Sequence, residues 1–265
     1  MDFKITEKIK KGYSLDLGKL IEDCFEIYKK TFLIAGLSFI IVAIATFVLY
    51  AFLGATLIGV SSLSEWAVKM EAMQYEAGYI IGNLVITILI SAFIAPLNAG
   101  FLKLCLLAKR NQELSLGVVF EYYKSKYLKD IVIGSVIIAL TSSVVSVGLQ
   151  LISLEIGVLS LVFLGVLFQI GIAVSTVLFI PLVIFANENF SEALQNSIKL
   201  VAKKPFHILL ALIVAVIGAF LGIIGLCIGI FFTLPIYTAM VFSIYDNIVG
   251  IEEYNVLDEI GQIEE

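Results

Sequence analysis

Few side chains in this sequence are suited to chemistry, and they do not converge. Metal ions are held by clustered imidazoles, thiolates and carboxylates, yet His207 is the only histidine and stands beside Pro205 and Phe206. It reads as an interfacial aromatic residue or a contact to lipid phosphate. Cys24, Cys105 and Cys227 are far apart and lack CxxC spacing, so they read as small apolar residues rather than a disulfide framework. Nucleophilic catalysis needs a serine or cysteine with a base and an orienting partner. No GxSxG motif occurs, and the hydroxyl-rich "TSSVVSVG" at 141–148 has no histidine near it, as expected for small residues at helix contacts. There is no glycine-rich phosphate loop of the Walker type. "NEN" at 187–189 reads as a loop that starts a helix. No catalytic, cofactor-binding or metal-binding residue is assigned, no cofactor is expected, and the chain is read as non-enzymatic.

Ion-coupled transport usually leaves an acid, lysine or arginine inside the bilayer. The apolar runs contain none; Glu155 falls in the short link between the third and fourth runs. Asn83, Asn98, Gln150 and Gln169 are the large polar side chains within or near them. Packing hydrogen bonds and a substrate path are both open to these four.

The elements that carry these residues are set by composition. Hydrophobic residues make up 60% of the 265, charged residues 15%, and mean hydropathy is +1.06. Soluble domains are about half apolar and about a quarter charged, so the chain belongs to the membrane class. Charge-free runs cover 31–64, 77–102, 131–154, 156–187 and 205–245. A spanning helix needs about 20 apolar residues. The last run is therefore expected to hold two helices joined at the glycine-rich "GIIGLCIG" of 222–229. Six spans follow, near 32–59, 79–102, 131–153, 158–186, 206–223 and 226–245. The first run starts too late and is too long for a cleaved signal peptide.

Basic residues set the expected orientation. Seven lie before the first span, six between the second and third and three between the fourth and fifth, which is 16 of 17; Lys69 stands alone on the other side. The bias places both termini in the cytoplasm of a cell with the protein in its plasma membrane. Basic loops of this kind suit anionic lipid, and no nucleic acid partner is expected. Seven of 22 acids lie after Tyr245, so 246–265 reads as a solvated acidic tail or a docking segment for a protein partner.

One phrase recurs at the start of the odd spans: "IYKKTF" at 27–32, "YKSKY" at 123–127 and "KKPF" at 203–206. Before the first and third copies, "LGKLIEDCFEIYKK" and "FSEALQNSIKLVAKK" place apolar residues at helical spacing opposite charged or polar ones, with Asn189 or Ser191 able to cap the second. "LGVVFEYYKSKYLK" is a shorter, aromatic version. The expectation is an interfacial amphipathic helix over 15–29, another over 190–203, and basic residues that anchor them at the lipid phosphates: Lys29, Lys30, Lys124, Lys126, Lys203 and Lys204. Their polar faces include Glu22 and, in the second, Gln195 and Asn196.

The even spans share prolines. Pro96, Pro181 and Pro235 follow phenylalanine in "FIAPL", "FIPL" and "FTLPI", and proline inside a helix removes a backbone hydrogen bond and bends it. The expected architecture is an all-α polytopic protein, one domain over 1–265. It is built from three helical-hairpin repeats at about 15–102, 115–186 and 190–245, each preceded by an interfacial helix. The prolines either only shape packing or, as three bends at one depth, open a vestibule reached by Asn98 and Tyr237. With no charge nearby it should be mainly apolar, hold lipid tails or a hydrophobic solute, and move no protons.

"NFSEALQNSIKLVAKKPFHILLALIV", followed by a glycine-rich turn and "LPIYTAMVFSIYD", resembles a broad group of bacterial six-span proteins, one branch of which is the membrane domain of some glycerophosphodiesterases. The likeness is one of helix types over most of the chain and implies the six-span fold. The sequence contains no phosphodiesterase domain, so that activity is not expected. Some relatives carry a carotenoid-oxygenase label, a chemistry that needs several histidines on iron where this chain has His207 alone. The function expected is structural, scaffold or lipid-interacting; the alternative is a small permease for a hydrophobic or neutral solute.

Overall fold

The computed structural model describes residues 3–58, 62, 64, 65, 68, 76–158, 160–224 and 229–251. Lys69, Cys227, half of the expected turn at 222–229 and the acidic tail beyond residue 251 lie outside them. All regular structure among the described residues is helical. A helix pairs its backbone groups within one segment, as a bilayer interior demands. Six segments are long and apolar enough to cross a membrane: Leu17–Thr56, Ala77–Lys109, Leu128–Ser153, Ser160–Phe185, Pro205–Ile223 and Gly229–Ile248. Their outward faces carry Ile44, Phe47, Phe52, Phe163, Leu167, Ile217 and Phe220, all more than half exposed. Apolar faces that large are stable only against lipid or another protein, and the chain is a multi-pass membrane protein.

After a short α1 (Phe3–Lys11), α2 runs unbroken over Leu17–Leu53. Asp16 caps it, accepting hydrogen bonds from the backbone N–H of Gly18 at 2.8 Å and of Lys19 at 3.2 Å. The separate helix expected over 15–29 is therefore the first part of the first span's own helix. No glycine or proline divides them, and the Thr31 hydroxyl bonds back to the Ile27 carbonyl at 3.0 Å within the helix. Its apolar stripe faces protein, since Leu20 and Cys24 are fully buried, whereas Phe25 is exposed. α3 (Ala77–Lys109) is continuous through Pro96. The aromatic segment that follows is one turn of α-helix, α4 (Gly117–Phe120), and a 3-10 turn over Glu121–Lys124. The third span is α5 (Leu128–Ile156), with Glu155 in its last turn.

The fourth span divides into α6 (Ser160–Ser175) and α7 (Phe179–Phe185), and the sixth into α10 (Gly229–Thr233) and α11 (Pro235–Ile248). Between them lie α8 (Phe190–Val201) and α9 (Pro205–Phe220). Pro181 and Pro235 thus sit in first turns, where a missing N–H leaves no broken bond. α2 packs on α3 and α11, α3 on α5, α5 on α6, and α9 on α11.

The segments rich in lysine meet at one end of the bundle. Lys30 donates to the Asn111 side chain at 2.7 Å, Lys109 pairs with Asp246, and the Asn247 amide donates to Asp23 at 2.9 Å. The Phe190 N–H donates to Asp130 at 3.1 Å, and the Tyr13 hydroxyl donates to the Leu200 carbonyl at 2.9 Å. On α8 the polar face differs from expectation. Asn196 is 2% exposed, and its amide donates to the buried carboxylate of Glu188 at 2.6 Å. Asn189 caps this helix through the N–H groups of Ser191 and Glu192, both at 3.0 Å.

Candidate functional site

Near each proline, a backbone carbonyl of the even-numbered span accepts a hydrogen bond from a hydroxyl on a segment near the lysine-rich end. In the fourth span, Phe179 N–H turns to the Thr176 carbonyl at 2.9 Å, which leaves the Ser175 carbonyl without its usual partner. Ser197 on α8, fully buried, donates to that carbonyl at 2.8 Å and accepts from the Leu178 N–H at 3.2 Å. In the sixth span, Tyr28 on α2 donates to the Phe232 carbonyl at 3.2 Å, three residues before Pro235. In the second, Tyr123 donates to the Phe93 carbonyl, three residues before Pro96. Tyr28 and Tyr123 each precede the first lysine of the recurring phrase, and they serve equivalent phenylalanines.

Two cavities open beside these prolines. The first, about 290 Å³, lies between α3, α5, the start of α7 and α11. Its wall is mainly apolar, with Leu102, Ile138, Pro181 and Val241, and its polar groups include Asn98 and Tyr237. Phe179 closes one side. It reaches α5 only because residue 134 is glycine, where a Cβ would overlap the phenyl ring. The second cavity, about 470 Å³, lies between α2, α3 and α10 and is lined by Phe39, Val42, Phe47, Leu97 and Phe231. Asn98 borders both cavities; its carboxamide is exposed and makes no hydrogen bond among the described residues.

Pro181 lines the first cavity, while Pro96 and Pro235 are buried beside it, two residues before Asn98 and Tyr237. The lysines of the recurring phrase do not reach the cavities. Lys29 and Lys30 are exposed on α2, Lys124, Lys126 and Lys203 are exposed in the connecting turns, Lys204 is half-buried, and Lys126 lies 4.9 Å from the centre of the Tyr127 ring. Asn83, Gln150 and Gln169 gather toward the opposite end of the same spans. Cys24 and Cys105 are buried free thiols, and His207 is half-buried at the start of α9. Among the described residues no three of His, Cys, Asp and Glu form a metal-binding group.

Tyr28, Tyr123 and Ser197 were missed at the level of sequence. Two of them carried a signal, a tyrosine before a lysine at the same place in the recurring phrase. Ser197 gave none beyond a small hydroxyl on a helix face otherwise apolar. What these groups build is an uncharged, mostly apolar space inside a multi-pass membrane protein. Compared with known proteins, the chain matches no family model, no curated protein and no solved structure.

Proposed function

We propose that this is a non-enzymatic, lipid-interacting membrane protein that holds an acyl chain or similar hydrophobic solute at the level of its prolines. The observation that carries this reading is the pair of cavities meeting at Asn98. Their apolar walls suit a hydrocarbon chain, and the absence of charge from their linings among the described residues suits neither an ion nor a proton relay. The protein sits in the plasma membrane with the lysine-rich end and both termini in the cytoplasm, where Lys29, Lys124 and Lys203 meet anionic headgroups. The equivalent hydroxyl contacts of Tyr28 and Tyr123 support three repeated hairpin units. A permease for a neutral solute is the second reading, favoured by the unpartnered carboxamide of Asn98 between the two cavities. Native mass spectrometry of the full chain released from lipid nanodiscs tests the first. Retained lipid is expected on the wild type and is expected to fall at least tenfold in the cavity-filling variants Ala139→Phe and Ala43→Phe. Equal retention by all three proteins would rule the reading out.

A further inference from the structure

A third cavity, about 350 Å³, differs in chemistry from the two above. α3 contributes Tyr79, Asn83 and Thr87, four residues apart on one face. α5 contributes Ser143, Ser146 and Gln150, again on one face, and α6 adds Gln169. This end of the bundle is remote from the lysine-rich loops, since Tyr79 lies near the start of α3 and Lys109 at its end.

Almost none of this hydrogen-bonding capacity is used internally. Thr87 returns its hydroxyl to the Asn83 carbonyl at 2.8 Å. The side chains of Asn83, Ser143, Ser146, Gln150 and Gln169 make no hydrogen bond among the described residues. Tyr79 is 6% exposed, and its hydroxyl is enclosed without a partner among them. A primary carboxamide offers two donors and an acceptor with two lone pairs. Leaving such groups unpaired away from water costs about 1–3 kcal/mol each. Three carboxamides line one space, Asn83 and Gln150 half-buried and Gln169 exposed, and together they suit a ligand that both donates and accepts. Among the described residues that line the cavity there is no carboxylate, lysine or arginine, so none of them would neutralise an ion.

Another cavity begins one turn further along the seam between α3 and α5. One turn beyond Thr87 is Ser91, and one turn before Ser143 is Ala139; both line the first proline-level cavity, where the Ser91 hydroxyl donates to the Ser135 carbonyl at 3.3 Å. From Asn83 to Asn98 the helix rises about 22 Å at about 1.5 Å per residue, a distance that one long acyl chain can cover.

We infer that Asn83, Gln150 and Gln169 bind the uncharged, hydroxyl- or amide-bearing headgroup of a single-chain amphiphile whose tail follows the α3–α5 seam to Asn98. The inference rests on the lipid-holding reading and names its ligand class. The probes that test it share one oleyl chain: monoolein, oleate and oleylamine, each supplied to the full-length protein in phosphatidylcholine nanodiscs and scored by native mass spectrometry. Monoolein is expected to be retained at least tenfold over the two charged probes. Asn83→Leu combined with Gln150→Leu is expected to abolish that preference while a chain is still retained, whereas Ala139→Phe is expected to reduce retention of all three. Equal retention of the three by the wild type would overturn the headgroup assignment, and the wild-type comparison stands even if the double variant fails to fold. An unchanged preference in a folded double variant would also overturn it, as would water alone in the third cavity. If the wild type retains none of the three probes, the lipid-holding reading falls as well.

Discussion

At the scale of the residue, three hydroxyls bond backbone carbonyls near the prolines. Ser197 occupies a buried position and serves a carbonyl and an N–H at once. Ser197→Ala leaves both without that partner and is expected to destabilise the protein by about 1–3 kcal/mol. Tyr28→Phe and Tyr123→Phe each remove one neutral hydrogen bond and are expected to cost about 1 kcal/mol. Denaturant unfolding in mild detergent, followed by helical circular dichroism, gives all three; a Ser197→Ala protein as stable as the wild type would remove the capping role. Tyr13 and Tyr123 add a pH dependence. Burial pushes each phenol from its ordinary value near 10 up to about 12, so the fold favours the neutral form. Their contribution is complete below about pH 10 and is lost as pH rises through about 12. The unfolding midpoint of the wild type should fall more steeply over that interval than that of the Tyr13→Phe/Tyr123→Phe variant. Parallel curves would contradict it.

At the scale of the element, packing decides what periodicity leaves open. Gly134 admits the ring of Phe179, which is 1% exposed. Gly134→Ala is expected to drive that ring toward the first cavity and to cost about 1–3 kcal/mol by overpacking. The same unfolding assay reads it, and a neutral change would show that the seam between α5 and α7 is loose. The spans themselves were legible because a bilayer demands about 20 apolar residues, and runs without charge say where they lie. The third and fifth begin within a few residues of where those runs predict. The joint at Lys29–Lys30 was not legible: an apolar stripe at helical spacing says that a face is covered, not by what. On α2 the cover is protein, through Leu20 and Cys24, and the helix continues. On α8, Asn196 looked like a solvated position, and only the fold brings the Glu188 carboxylate to it. The prolines marked the level of the site, yet proline alone does not distinguish a continuous α3 from the divided fourth and sixth spans.

At the scale of the whole molecule, the apolar helices pack a core and leave open cavities between them. Orientation is testable through Ser62, which is exposed beyond the end of the first span. In a background without other reactive thiols, Ser62→Cys is expected to react with a membrane-impermeant maleimide added to intact cells. Reaction only after the cells are opened would invert the proposed topology. The occupancy of the cavities bears most directly on function. Solid-state NMR of the full chain, with labelled side-chain amides and carbon-13 acyl chains in the bilayer, detects through-space transfer between the two. Cross-peaks from mid-chain methylenes to the Asn98 carboxamide are expected, and they should be weakened by Ala139→Phe. An Asn98 carboxamide that exchanges magnetisation with water and never with acyl carbon would contradict a lipid-holding interior.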